Sequence, residues 1–219
     1  MILEIWVVFG IEAVSAALAF FIVYSMLTVF RATRKEYLLG FPVGFGFLAL
    51  AYLAFGISFA VPSLEEVASW LHLTLVSYGF AFIVGTYFLK KRSFGRSMGR
   101  VSVWLFSLLI VLAVMVVATI VLPSPMIVPP YRTVDELFRI ANLILLAYIL
   151  FSLYQALKDE RHEVGAMVLA GFGFLAANEY SLLLWALDRG VSSLVLGHVM
   201  QLAGLLTLTA ALAKGFRGR

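Results

Sequence analysis

VGAMVLAGFGFLAANEYSLLLWAL, residues 164–187, is the stretch whose reading decides the fold. It is apolar and longer than the roughly 20 residues needed to cross a bilayer as a helix. Yet it carries a carboxylate, Glu179, well inside the run and next to Asn178. It also contains GFGFLA at 171–176, a sequence that occurs once before, at 44–49. The carboxylate points to a buried polar site, and the recurrence points to an internal duplication.

The rest of the chain has the same character. Of its 219 residues, 63% are hydrophobic and 13% are charged, and the mean hydropathy is +1.04. Soluble domains are about 45–50% apolar and about 25% charged. A core of this size cannot hide the excess, so the composition implies an integral membrane protein. The net charge of +4 then reads as orientation and lipid contact rather than nucleic-acid binding. Cysteine is absent, which excludes disulfides, thiolate metal sites and cysteine nucleophiles. The first run begins with Glu4 rather than a basic stretch and is too long for a signal peptide, so it reads as a retained first helix.

Working outward from 164–187, seven apolar segments follow one another, at 2–30, 37–61, 67–89, 101–122, 134–157, 164–187 and 192–213. They are continuous rather than alternating, and lipid admits only helices or closed barrels. The expected fold is therefore all-α, a single transmembrane domain of seven helices. Basic residues divide unevenly between the loops. Thirteen of the sixteen lie on one side: Arg31, Arg34 and Lys35, then Lys90, Lys91, Arg92, Arg96 and Arg100, then Lys158 and Arg161, then Lys214, Arg217 and Arg219. The positive-inside rule puts that side in the cytoplasm, with the N-terminus outside and the C-terminus inside. The expected location is the plasma (cell) membrane of a prokaryote, as a multi-pass protein. Four of the six prolines fall in PSPMIVPPYRTVDE, residues 123–136, which reads as an extended outer segment, either a stiff linker or a lid.

A shift of 124–127 residues overlays the first three segments on the last three. GFGFLA meets GFGFLA, Glu12 meets Glu136, Tyr24 meets Tyr148, Thr28 meets Ser152, and His72 meets His198. Repeat 1 spans about 1–90 and repeat 2 about 134–213, joined by a fourth helix at about 101–122. With one helix between them the repeats are parallel. This 3+1+3 plan resembles the opsin-like proteins and the sugar and PQ-loop transporters, over nearly the whole chain but in architecture alone. The seventh segment has no mid-helix lysine for retinal, no PQ dipeptide occurs, and Pro42 is the one proline inside a predicted helix body. The functions of those families are therefore not implied.

Ionisable groups inside a membrane cost about 2.5–3.5 kcal/mol each at the helix centre, which makes them functional candidates. Glu12 lies six residues past Trp6, and Glu179 six before Trp185. At about 1.5 Å per residue both are about 9 Å below the outer interface. His198 has a similar depth, with Gln201 on the same face, and Arg139 and Asn142 share a face of their own segment. These residues and Asn178 form the expected ligand- or ion-binding set in the outer half of the bundle. The alternative is structural: Glu179 with Arg139 as a locking ion pair, and Asn142, Asn178 and Gln201 as interhelical hydrogen-bond contacts.

Two imidazoles, His72 and His198, with Glu12 or Glu179 would suit a divalent metal, and the imidazoles alone could ligate a haem. No cofactor is the leading expectation. The leading function is a transporter or channel-like protein for a small solute or ion. The alternatives are a receptor-like module that signals through the 93–100 loop to a cytoplasmic protein partner, and a metal- or haem-dependent membrane enzyme or electron-transfer protein. The expected partners are the lipid bilayer, a small-molecule or ion ligand and a second copy of the chain, with no nucleic acid.

Overall fold

A computed structural model describes residues 2–91, 131–159, 163–188 and 190–217. The seven-helix expectation is corrected: six helices among the described residues are long and apolar enough to cross a membrane. They are α1 (Ile2–Thr33), α2 (Gly40–Ala60), α3 (Glu65–Lys91), α4 (Tyr131–Asp159), α5 (Glu163–Asp188) and α6 (Val191–Arg217). The segment expected to form a helix at 101–122, the 93–100 loop and the prolines at 123–130 lie outside the described residues.

Continuous apolar sequence explains the helices, because a backbone in hydrocarbon must satisfy its own hydrogen bonds. Their ends follow local chemistry. A 3-10 turn at Glu36–Leu39 delivers the chain into α2, so Pro42 falls in the first helical turn rather than in the helix body. There its missing N–H removes no intrahelical bond. A second 3-10 turn, Pro62–Leu64, leads into α3, whose first turn carries Glu65 and Glu66 against the positive end of the helix dipole. Between α5 and α6, the Asp188 carboxylate accepts the Gly190 N–H at 2.8 Å.

The helices close into a ring. Each packs on its neighbours in chain order, and α1 returns to pack on α6. Two tight antiparallel pairs dominate, α2 with α3 and α5 with α6. A Cβ on Gly44 would meet the Gly79 carbonyl at 2.6 Å, and one on Gly204 would meet the Gly171 carbonyl at 2.9 Å. The glycines let the backbones touch. α3 and α4 run in the same direction, since Trp70 stacks edge-on against Phe138 and Ser77 bonds Asn142 further along.

Burial shows that the two three-helix units are built alike. The inward face of α1 is Val8, Glu12, Ser15, Ala19 and Ile22, and that of α4 is Asp135, Arg139, Asn142, Leu146 and Ile149. Each pair is 127 residues apart, the same offset as the two GFGFLA sequences. In α3 and α6 the buried sets 72, 73, 76, 79, 80, 83 and 197, 198, 201, 204, 205, 208 match at 125. Phe45 and Phe172, at corresponding positions of the two units, lie tilted against each other in the core with ring centroids 6.3 Å apart. Two expected equivalences change as a result. Glu12 matches Arg139 rather than Glu136, and His198 matches Leu73 while His72 matches Gly197.

The outside is apolar and the inside is partly charged. Leu137, Ile140, Ile144 and Phe151 are exposed along α4, as are Val14 and Phe21 on α1. Asp135, Arg139 and Asn142 point inward from α4. That inversion suits a lipid surround. The molecule is a multi-pass helical membrane protein.

Candidate functional site

All the buried charge among the described residues gathers toward one end of the ring, near the starts of α1, α3, α4 and α6 and the finishes of α2 and α5. The other end carries Arg31, Arg34, Lys35, Lys158 and Lys214, the last paired with Glu163. An apolar cavity of about 240 Å³, lined by Met26, Phe41, Val168 and Leu212 among others, lies at that basic end. The charged residues are elsewhere.

One cluster centres on Arg139. Its Nε donates to Asp135 Oδ1 at 3.1 Å, one turn earlier on α4, and its Nη1 donates to Glu179 Oε2 on α5 at 3.2 Å. Asn142 Nδ2 donates to the same Glu179 oxygen at 3.2 Å, and Asn142 Oδ1 accepts from Ser77 of α3 at 2.7 Å. Arg139 is 1% exposed, Asp135 0% and Glu179 1%. One guanidinium thus joins two carboxylates and ties α4 to α5, while Asn142 ties α4 to α3.

The second cluster centres on Glu12. Its Oε1 lies 3.1 Å from His198 Nε2 and accepts from Gln201 Nε2 at 3.2 Å. Both partners stand on α6 one turn apart, so the cluster ties α1 to α6. Glu12 is 0% exposed, and its Oε2 has no hydrogen-bond partner. Ser15 Oγ, one turn along α1, also has none. A Cβ on Gly56 would meet the Phe9 ring at 3.8 Å and the Cβ of Glu12 at 3.9 Å.

Between the clusters stand aromatic rings from α2. Tyr52 is buried within the field of both Glu12 and Glu179. Phe55 lies tilted against the His72 imidazole, with ring centroids 4.6 Å apart, and stacks on the His198 imidazole at 5.5 Å. His72 donates from Nδ1 to the Ala51 carbonyl at 3.1 Å, which anchors α3 to α2.

The seven expected binding residues are all buried, and six fall into these clusters: Arg139, Asn142 and Glu179 in one, Glu12, His198 and Gln201 in the other. Asn178 is the exception. It faces α6 at Gly197, and its Oδ1 has no partner. The metal set of His72, His198, Glu12 and Glu179 is not assembled. No three His, Asp or Glu side chains among the described residues stand as a ligand group. Glu179 is held by Arg139, His72 by a carbonyl, and the two imidazoles share the phenyl ring of Phe55. Asp135, Ser15, Ser77 and Tyr52 belong to the site and were not singled out from sequence. Asp135 was legible, since Asp135 and Arg139 stand one helical turn apart. Tyr52 was legible only as the position equivalent to Glu179.

The arrangement can bind and hold charge. Among the described residues, three buried carboxylates accompany one buried guanidinium and two buried imidazoles. No known protein family, curated protein or solved structure matches this chain.

Proposed function

We propose that this chain is a transporter or channel-like membrane protein that takes a small cation or a proton into its polar network. The observation that carries this reading is the surplus of buried carboxylate. Glu12, Asp135 and Glu179 face only Arg139 as a fixed cation among the described residues. An uncompensated carboxylate inside a membrane is costly, so it either binds a proton or meets a cation from solution. Orphaned atoms at Glu12 Oε2, Asp135 Oδ2 and Asn178 Oδ1 mark where such a guest would be held. Two amphipathic halves that pack on each other through a shared centre supply the simplest means of alternating access, rocking about that centre.

Proteoliposomes loaded with a pH-sensitive dye, and challenged in turn with sodium, potassium and ammonium gradients, test the proposal. Wild type is expected to move at least one of these ions or protons above the rate of empty liposomes, and Glu179→Gln to lose that flux. Wild-type flux in Glu179→Gln would remove Glu179 from the mechanism. No flux with any of the probes would remove the cation and proton reading.

A further inference from the structure

His198 has a hydrogen-bond pattern that fixes its protons. Its Nδ1 lies 2.7 Å from the Leu194 carbonyl. A carbonyl only accepts, so Nδ1 carries a hydrogen. On the other side of the ring, Nε2 lies 3.1 Å from Glu12 Oε1. A neutral imidazole with hydrogen on Nδ1 presents a bare lone pair at Nε2, which a carboxylate repels. The contact therefore contains one further proton. It sits either on Nε2, giving imidazolium and carboxylate, or on Glu12, giving imidazole and carboxylic acid. Both forms contain the same number of protons.

Removing that proton cannot leave the geometry as it is. With Glu12 ionised and the ring neutral, the single ring hydrogen serves either Leu194 or Glu12, and the other contact breaks. Breaking the Leu194 contact frees the ring on α6. Breaking the Glu12 contact leaves Gln201 as the remaining tie among those that hold Glu12 to α6. In the Arg139 cluster the cation itself carries no such dependence, because a guanidinium stays charged at any pH at which the protein is folded.

We propose that Glu12 and His198 together form a one-proton site, and that this proton is the ion coupled to movement of α1 against α6. The site is specific in its surroundings. Glu12 from α1 meets His198 and Gln201 from α6 beside the orphaned Ser15 hydroxyl; Tyr52 from α2 and His72 from α3 lie within its field, and Arg139 from α4 and Glu179 from α5 form the neighbouring cluster. The Glu12 Oε2 atom, bare of partners, is the place where the proton or a hydrated form of it enters. Proton transfer here is a simple acid–base step: one O–H or N–H bond breaks, and the proton leaves to water.

The coupling role rests on the transport reading above; the proton count does not, and it is measured without any flux. Potentiometric titration of the purified protein in lipid nanodiscs, combined with infrared difference spectra of the carboxyl C=O and carboxylate bands, tests it. Over the pH range in which helix content is constant, wild type is expected to release one proton per chain more than the double variant Glu12→Gln/His198→Gln, with a carboxyl or imidazole band change that the double variant lacks. Glu179→Gln is expected to keep that band change. Gln at position 12 still accepts from Gln201 and can donate to Nε2, which preserves the fold. Glu12→Gln alone, if it folds and moves cations in liposomes, is expected to do so without the wild-type pH dependence. An equal proton count and equal band changes in wild type and double variant would overturn the proposal, whether or not flux is seen. A wild-type difference with no flux would leave the proton site standing and remove only the coupling.

Discussion

Glu12 and Arg139 occupy the same place in two similarly built halves, yet they carry opposite charges. Around Arg139 the neutralising charge is permanent: two carboxylates and an amide from α4 and α5 surround one guanidinium. Around Glu12 the only nearby cation from α6 is an imidazole, and its charge is conditional on a proton. The same helical frame therefore holds one cluster that is locked and one that can be switched. Where the halves agree, at the glycine contacts and Phe45 with Phe172, the sequence builds the scaffold. Where they differ, it builds chemistry.

The comparison can be broken at its strongest point first. Arg139→Met leaves Asp135 and Glu179 buried without a cation, and removing one partner of a buried pair costs about 3–5 kcal/mol. Glu12→Gln replaces a charge whose partner can give up its own, so it is expected to cost no more than about 1.5 kcal/mol, near the value of a single hydrogen bond. Thermal unfolding of both variants in the same detergent measures the gap. Equal losses would mean that the two clusters are not locked to different degrees.

The scaffold comes next. Gly44→Ala drives a methyl group into the Gly79 carbonyl, which is backbone and cannot move aside. Gly171→Ala presses mainly on Leu208, whose side chain can turn away. Overpacking costs about 1–3 kcal/mol, and the expected order places Gly44→Ala at the upper end and Gly171→Ala at the lower. The reverse order in a denaturation series would show that the Gly79 carbonyl gives way more readily than the Leu208 side chain.

A smaller effect separates the ties between helices. Asn142→Ala removes a donor to Glu179 and an acceptor from Ser77, with an expected loss of about 1–3 kcal/mol. Ser77→Ala removes only the second contact and is expected to cost about 1 kcal/mol or less. The smallest effect lies at the basic end. Lys214 and Glu163 pair at the surface, both side chains substantially exposed, and exposed ion pairs are worth about 0–1 kcal/mol. Lys214→Ala is expected to leave the melting temperature unchanged within about 2 °C.

Much of the architecture was legible before any coordinates. Continuous apolar runs specify membrane helices because lipid leaves the backbone no other way to satisfy its hydrogen bonds. The inward positions of α4, Asp135, Arg139 and Asn142, could be read from helical spacing, as could those of α1. The six-residue GFGFLA match placed α2 and α5 in corresponding positions. What the sequence misjudged was register. Matching Glu12 to Glu136 and His72 to His198 pairs like residue with like residue, whereas burial pairs Glu12 with Arg139 and His198 with Leu73. Identity of residue type is a weak guide where two similarly buried frames carry different chemistry.

Composition and helical spacing are local properties, and they suffice to specify a membrane protein with charged residues inside its helices. Which charge meets which is a matter of packing between helices: Glu179 belongs to Arg139, Glu12 belongs to His198, and Phe55 lies against both imidazoles. Those pairings, with that of Glu12 and Gln201, join residues as many as 189 positions apart. They depend on how the six described helices close into a ring, and that packing is set by glycine contacts and interior shape rather than by any single stretch of the chain.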